Sequence, residues 1–236
     1  MKAKGVKNVA ASMRARLYEL SKQRKEDFQF VLTRWVAERF LYRLSVSRQH
    51  DQFVLKGATL FLIWKGELPR PTRDVDFLAY GPADIESVVK TIREICSLRA
   101  DDGIDFDLDE IRARAIREPA EYDGVRVFVN AVLDKAKVTV QIDIGYGDVV
   151  DPSPVETKLP VMLDLPAPSL RTYPPEVVIA EKLQAMIHLG IANSRMKDFF
   201  DIWMLSREQT FLMSRLRRAI VATFQRRKTD LGFQRP

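Results

Sequence analysis

Thr72-Arg73-Asp74-Val75-Asp76-Phe77-Leu78-Ala79-Tyr80 sets polar residues against β-branched and aromatic ones and predicts a strand over residues 72–80. Side chains alternate across a strand, so Asp74 and Asp76 share one face while Val75 and Phe77 enter the core on the other. Two like charges at that spacing repel unless a cation lies between them. Magnesium takes one or two carboxylates together with phosphate oxygens, which this pair can supply. Taken alone, an Asp-x-Asp also fits a solvated edge-strand face.

Upstream, Lys56-Gly57-Ala58-Thr59 opens an apolar run, residues 60–64, that stops at Gly66, Pro69 and Pro71. This predicts a glycine turn followed by a short helix. Farther back, apolar residues recur at three- and four-residue intervals through 9–45 and predict two helices. Downstream, a helix is expected over 83–98, then strands near 106–108, 112–116, 125–133 and 137–144. Asp134, Lys135 and Ala136 separate the last two as the turn of an antiparallel hairpin.

On the strand 137–144, Val138, Val140, Ile142 and Ile144 form an apolar face, and Thr139, Gln141 and Asp143 a polar one. If this strand neighbours the one over 72–80, Asp143 joins Asp74 and Asp76. Three carboxylates can hold two divalent ions and accept a proton from an attacking hydroxyl, as in-line phosphoryl or nucleotidyl transfer requires. Asp105, Asp107 and Asp109 also alternate, but no glycine turn adjoins them and the pattern of a calcium loop is missing. They read as a solvated strand face.

A proline-rich stretch, 152–175, is expected to be an ordered connector without sustained periodicity. A helix from Pro175 to Leu189, ended by Gly190, follows, with Ile179, Leu183, Met186 and Ile187 marking its buried side. Lys182 lies at the boundary of that stripe, as a ligand for an anion or as a snorkelling surface lysine. Asn193 or Ser194 caps a further helix to about residue 205. Its first turn carries Arg195 and Lys197, a natural place for phosphates, and Asp198 and Asp201, which share a face and can pair with Lys182. A last basic helix spans about 211–227. Helices, a mixed sheet and more helices predict an α+β core with helical extensions.

The chain has 236 residues, 46% hydrophobic and 30% charged, enough for a folded core. No apolar run approaches the ~20 residues of a membrane-spanning helix, and a cytoplasmic protein is expected. Cys96 alone permits no internal disulfide, and His50 and His188 have no zinc-ligand spacing, so metal chemistry must use oxygen. The net charge of +6 is uneven: residues 1–50 carry +8, residues 207–236 carry +6 and residues 51–206 carry −8. An acidic centre between basic ends suits a polyanion held at the ends, although solvated arginine-rich helix faces give the same balance.

The segments Val54-Leu55-Lys56-Gly57-Ala58-Thr59-Leu60-Phe61, Arg70-Pro71-Thr72-Arg73-Asp74-Val75-Asp76-Phe77, Gln141-Ile142-Asp143-Ile144-Gly145, Ile179-Ala180-Glu181-Lys182 and Asn193 to Asp201 resemble the AbiEii/AbiGii-type toxin nucleotidyltransferases of the DNA polymerase β-like superfamily. The resemblance runs from about Leu32 to Arg227. It implies a polymerase-β-like core, a small mixed sheet with flanking helices, between helical N- and C-terminal segments. The expected division is 1–50 (helical), 51–151 (nucleotidyltransferase core), 152–175 (connector) and 176–236 (helical). Relatives often continue with more helical sequence, where this chain stops at Pro236. Ala58 departs from the superfamily, which commonly places glycine or serine there and so offers one more phosphate hydrogen bond.

The resemblance implies Mg²⁺-dependent transfer of a nucleoside monophosphate from an NTP to RNA, at the 3′ end of tRNA, by the toxin of a toxin–antitoxin or abortive-infection system, with a cognate antitoxin as partner. Asp74, Asp76 and Asp143 are the expected metal ligands and, with Lys182, the catalytic set. Lys56, Gly57, Arg73, Lys182, Arg195, Lys197 and Asp198 are expected at the nucleotide, and Arg215, Arg217 and Arg218 at the RNA. The alternatives are a transferase acting on a small hydroxylated molecule such as an antibiotic, and a non-catalytic RNA- or protein-binding module.

Overall fold

The computed structural model of the chain describes residues 8–72, 74–117 and 123–230. The chain forms helices α1 (Val9–Arg24), α2 (Phe28–Ser45) and α3 (Phe61–Lys65), then α4 (Ile85–Cys96), α5 (Pro175–Leu189), α6 (Met196–Glu208) and α7 (Met213–Arg226). The strands are β1 (Phe53–Lys56), β2 (Asp74–Ala79), β3 (Ile104–Phe106), β4 (Arg112–Arg117), β5 (Asp123–Leu133), β6 (Ala136–Tyr146), β7 (Val155–Lys158) and β8 (Ser169–Thr172). The fold is the expected α+β one, a mixed sheet flanked by helices. A single sheet runs β3-β5-β6-β2-β1-β8-β7, with β4 also paired to β5. β2 is parallel to β6 and β1 parallel to β8, and the other pairs are antiparallel.

The alternating pattern of β6 places Val138, Val140, Ile142 and Ile144 in the core, each 3% exposed or less. Val75 and Phe77 of β2 join them, and α2 and α4 lie over this face through Trp35, Val36, Phe40, Ile92 and Ile95. Cys96 is a small core residue whose thiol burial pushes up to about 12. Not every basic residue of the N-terminal segment is at the surface. Arg39 and Arg43 of α2 are buried against Asp102, at 3.1 and 2.7 Å, so part of the expected polyanion-binding charge serves packing instead.

The structure departs from the sequence pattern in several elements. Neither Asn193 nor Ser194 caps α6, which starts at Met196 after Arg195, because the Asn193 side chain accepts the Arg195 N–H at 2.9 Å, ahead of the helix. The hairpin turn has two residues, Asp134 and Lys135, because Asp134 adopts a left-handed φ of 55° and lets Leu133 pair directly with Ala136. β3 starts and ends earlier than expected, because Asp107 accepts the N–H groups of Asp109 and Glu110 and turns the chain out of the sheet. Asp105 and Asp109 are exposed, in keeping with a solvated face. The connector contains β7 and β8, and β8 continues the sheet beside β1, with the Tyr173 N–H donating to the Leu55 carbonyl at 3.0 Å. Finally, α5 buries Val177, Val178, Ile179, Ala180 and Gln184, leaving Ile187 46% exposed, because α7 packs on the side bearing Gln184.

Candidate active site

Sheet register assembles the site. Lys56 pairs with Asp76 across β1 and β2, Asp76 with Asp143 across β2 and β6, and Asp143 with Arg126 across β6 and β5. One line across four neighbouring strands therefore reads cation, carboxylate, carboxylate, cation. Asp74, two residues before Asp76, completes a group whose carboxylate oxygens lie within 4.8 Å of one another. Among the described residues this is the one such cluster of potential metal ligands.

Each carboxylate is held differently. Asp74 accepts the Thr72 hydroxyl at 2.6 Å. Asp143 is gripped by the Arg126 guanidinium at 2.8 and 2.7 Å and also accepts the Gln141 amide. Burial, with Asp74 and Asp143 beside it, pushes the Asp76 carboxyl up to about 7, against the pull of Lys56 and Lys197. The turn at Gly57, φ 75°, lies against that carboxylate. An all-oxygen set crowded enough to resist full ionisation fits a hard divalent cation, whose charge would replace the proton.

A cleft of about 780 Å³ adjoins this row and is lined by Gly57, Asp76, Arg70, Lys182, Arg195 and Lys197 among others. Lys182 donates to Asp198 at 2.7 Å and approaches Asp201 at 2.9 Å, and Arg70 forks onto Asp201 at 3.1 and 2.9 Å. Arg70 and Lys182 hold the Asp201 carboxyl below its usual range despite its burial. Asp198 therefore meets a lysine, and its expected place at the nucleotide is that of an orienting partner to Lys182. It sits in the first turn of α6, where the helix dipole favours a carboxylate.

Lys56, expected at the nucleotide, lines the cleft and is also engaged in an ionic cluster on its wall. Its ammonium lies 3.1 Å from Asp148 and 3.5 Å from Glu181, and Arg227 reaches the same two carboxylates. The Tyr173 hydroxyl donates to Glu181 at 3.1 Å. Although burial opposes its charge, Glu181 and Asp148 raise the Lys56 ammonium above the usual lysine range. The cluster ties β1, the segment after β6, α5 and the end of α7 together, and Lys56, Tyr173, Glu181 and Arg227 form part of the cleft wall.

The C-terminal arginines expected to hold RNA are partly committed elsewhere. Arg215 lies 3.1 Å from Glu176 and Arg218 lies 2.6 Å from Asp151, whereas Arg217 is exposed. Arg73 lies outside the described residues. Arg70, Arg126, Asp148, Tyr173, Glu181 and Arg227 also belong to the site and its ionic cluster, although the sequence pattern gives none of them a functional role. Glu181 and Arg70 stand inside the quoted segments, and a two-residue turn would have placed Arg126 opposite Asp143.

A family profile described as nucleotidyl transferase AbiEii toxin, type IV TA system, matches residues 39–235. No curated protein sequence matches the chain. Among solved structures, the chain is similar to JHP933 from Helicobacter pylori, with 18% identity, a TM-score of 0.51, and coverage of 84% of this chain and 80% of that one. At that identity the likeness concerns the fold. The antibiotic-resistance factor ANT(2'')-Ia is 12% identical, with a TM-score of 0.46, covering 81% of this chain and 92% of that one.

Proposed function

The chain belongs to the AbiEii family of nucleotidyl transferase toxins, and from that premise we propose that it moves a nucleoside monophosphate from an NTP to a hydroxyl of RNA, in the presence of Mg²⁺. The observation that carries this reading is the convergence of Asp74, Asp76 and Asp143 within 4.8 Å beside a cleft lined by Arg70, Lys182, Arg195 and Lys197. Carboxylates for metal and cations for phosphate stand side by side, as in-line transfer requires.

Asp74, Asp76 and Asp143 would hold divalent ions, which supply positive charge to the reacting phosphate and lower the pKa of the attacking hydroxyl. The new bond joins the acceptor oxygen to the α-phosphorus, and the bond from that phosphorus to the pyrophosphate oxygen breaks. Asp143 takes the hydroxyl proton. Lys182, oriented by Asp198 and Asp201, and Arg70, Arg195 and Lys197 offset the charge of the departing pyrophosphate. Gly57 lets the backbone come close to the row.

The family description supports a role as the toxin of a toxin–antitoxin pair with an antitoxin partner, and tRNA is proposed as the acceptor on the resemblance of the quoted segments alone. The test is incubation with each labelled NTP, Mg²⁺ and total RNA, followed by gel separation. One NTP should label one RNA size class. Label on a small hydroxylated molecule with none on RNA would move the acceptor assignment, and no metal-dependent transfer at all would overturn the reading.

A further inference from the structure

A second cavity, of about 720 Å³, meets the carboxylate row from another side. It lies between α2, α3 and the segment joining β7 to β8, and it reaches the row at Asp74, whereas the cation cleft reaches it at Asp76. The two share no lining residue. Its walls are aliphatic, with Leu41, Leu62, Leu68, Val161 and Met162.

Set into these walls is Glu38 of α2, only 8% exposed. Its Oε2 accepts the Met162 N–H at 2.8 Å. Its Oε1 has no hydrogen-bond partner among the described residues, and Arg39, 3.8 Å away, already donates to Asp102 and the Pro166 carbonyl. Burial pushes this carboxyl up to about 7. A buried acceptor without a donor is costly to keep, and a ligand N–H would satisfy it. Exposed Arg24 and half-buried Arg34 also line the cavity and add positive charge.

Apolar walls, a buried acceptor and nearby cations match a nucleobase with its phosphate: enzymes that take up a base pack it between apolar side chains and read its edge by hydrogen bonds. Position along the row decides which base. In-line displacement sets the attacking oxygen opposite the leaving one, and the cations for the leaving pyrophosphate line the cleft at Asp76. We propose that the cavity takes the terminal nucleobase of the acceptor RNA, with an N–H of its edge on Glu38 Oε1 and its ribose hydroxyl reaching the row past Asp74, within range of Asp143. This inference rests on the nucleotidyl-transfer reading.

The experiment uses short RNAs that end in a normal or an abasic 3′ nucleotide, bound to the whole chain without NTP and followed by anisotropy. NTP binding is measured in parallel. Two variants are compared with the wild type: Glu38→Gln, close in shape, and Val161→Trp, which fills the cavity from a half-buried position. Thermal melts report their folding, and Val161→Trp carries the test if Glu38→Gln unfolds.

Loss of the terminal base should weaken wild-type binding tenfold or more. Both variants should bind the normal RNA as weakly as the abasic one while retaining NTP affinity within about twofold. Loss of NTP affinity with RNA binding intact would assign the cavity to the nucleotide and overturn the proposal, as would variants that leave both unchanged. If the wild type labels no RNA with any NTP, the parent reading fails instead, and the binding comparison identifies that case separately.

Discussion

A Cβ on Gly57 would overlap Oδ2 of Asp76 and lie 2.7 Å from its Cγ. The glycine turn and this candidate metal-binding carboxylate are therefore one packing unit, since Gly57 also holds φ at 75°, where a side chain is strained. Gly57→Ala should destabilise the fold by about 1–3 kcal/mol and displace Asp76. Thermal unfolding and Mn²⁺ titration check this, and wild-type metal affinity in the variant would separate the turn from the site.

The raised Asp76 carboxyl has a pH consequence with a definite sign. Unfolded, the group ionises near pH 4, but in the metal-free fold it keeps its proton to about 7. The unfolded chain therefore binds fewer protons across that window, and Asp76 makes the metal-free fold less stable as pH rises from about 4 to about 7. Asp76→Asn should melt higher than wild type at pH 8 without metal, with the advantage shrinking toward pH 4, and should lose transfer. Mg²⁺ should raise the wild-type melting temperature most above pH 7. Melting curves at several pH values, with and without Mg²⁺, read all three.

Arg126 occupies both oxygens of Asp143. A divalent ion must compete with it, so Arg126→Gln should tighten Mn²⁺ binding several-fold in the absence of NTP, measured by calorimetric titration. Unchanged affinity would show that Asp143 contributes little to holding metal.

Lys182→Ala should raise the NTP dissociation constant about tenfold or more and slow transfer, since a buried triphosphate charge loses its partner. Asp198→Asn keeps the lysine and leaves it an amide oxygen as acceptor, but removes the negative charge of its 2.7 Å partner. A smaller loss of NTP affinity, two- to fivefold, is expected there, and direct nucleotide-binding measurements on both variants check the order. An Asp198→Asn effect larger than that of Lys182→Ala would give Asp198 a role of its own.

Arg215 and Arg218 have carboxylate partners within the chain, whereas Arg217 is exposed. If α7 touches RNA, Arg217→Gln alone should flatten the log–log salt dependence of binding by about 0.7, the value of one contact on a single strand. Arg215→Gln and Arg218→Gln should add less. Titrations at several salt concentrations decide the matter, and equal slopes for Arg217→Gln and wild type would remove α7 from the acceptor surface.

Local patterning was legible wherever one face of an element is buried. Alternation along residues 72–80 and 137–144 assigned Asp74, Asp76 and Asp143 to polar faces, and Pro175 and Gly190 marked the ends of α5, because burial and backbone chemistry act within a few residues. Residue 134 shows where such reasoning stops. A three-residue turn would set Asp143 opposite Val127, but a left-handed Asp134 shortens the turn and brings Arg126 there instead. A register shift of one residue exchanges the faces of a strand, and only the closed sheet selects it.

Spacing along the chain put Asp74 and Asp76 on one strand face and Asp143 on the polar face of another, marked the Gly57 turn and set Lys182 at the edge of an apolar helix stripe, while each taken singly also suited a solvated surface. The pairing of Lys182 with Asp198 and Asp201 was open to view in the sequence, but other partners came only with the folded chain: Lys56 joins Asp148 and Glu181, and Arg39 and Arg43 leave the surface for Asp102. β8 likewise entered the sheet from a stretch with no periodicity, because a free edge beside β1 offered its backbone groups partners. Ion pairs and strand neighbours form between segments tens of residues apart, so their identity follows from the path of the whole chain, whereas alternation and capping follow from neighbours along it.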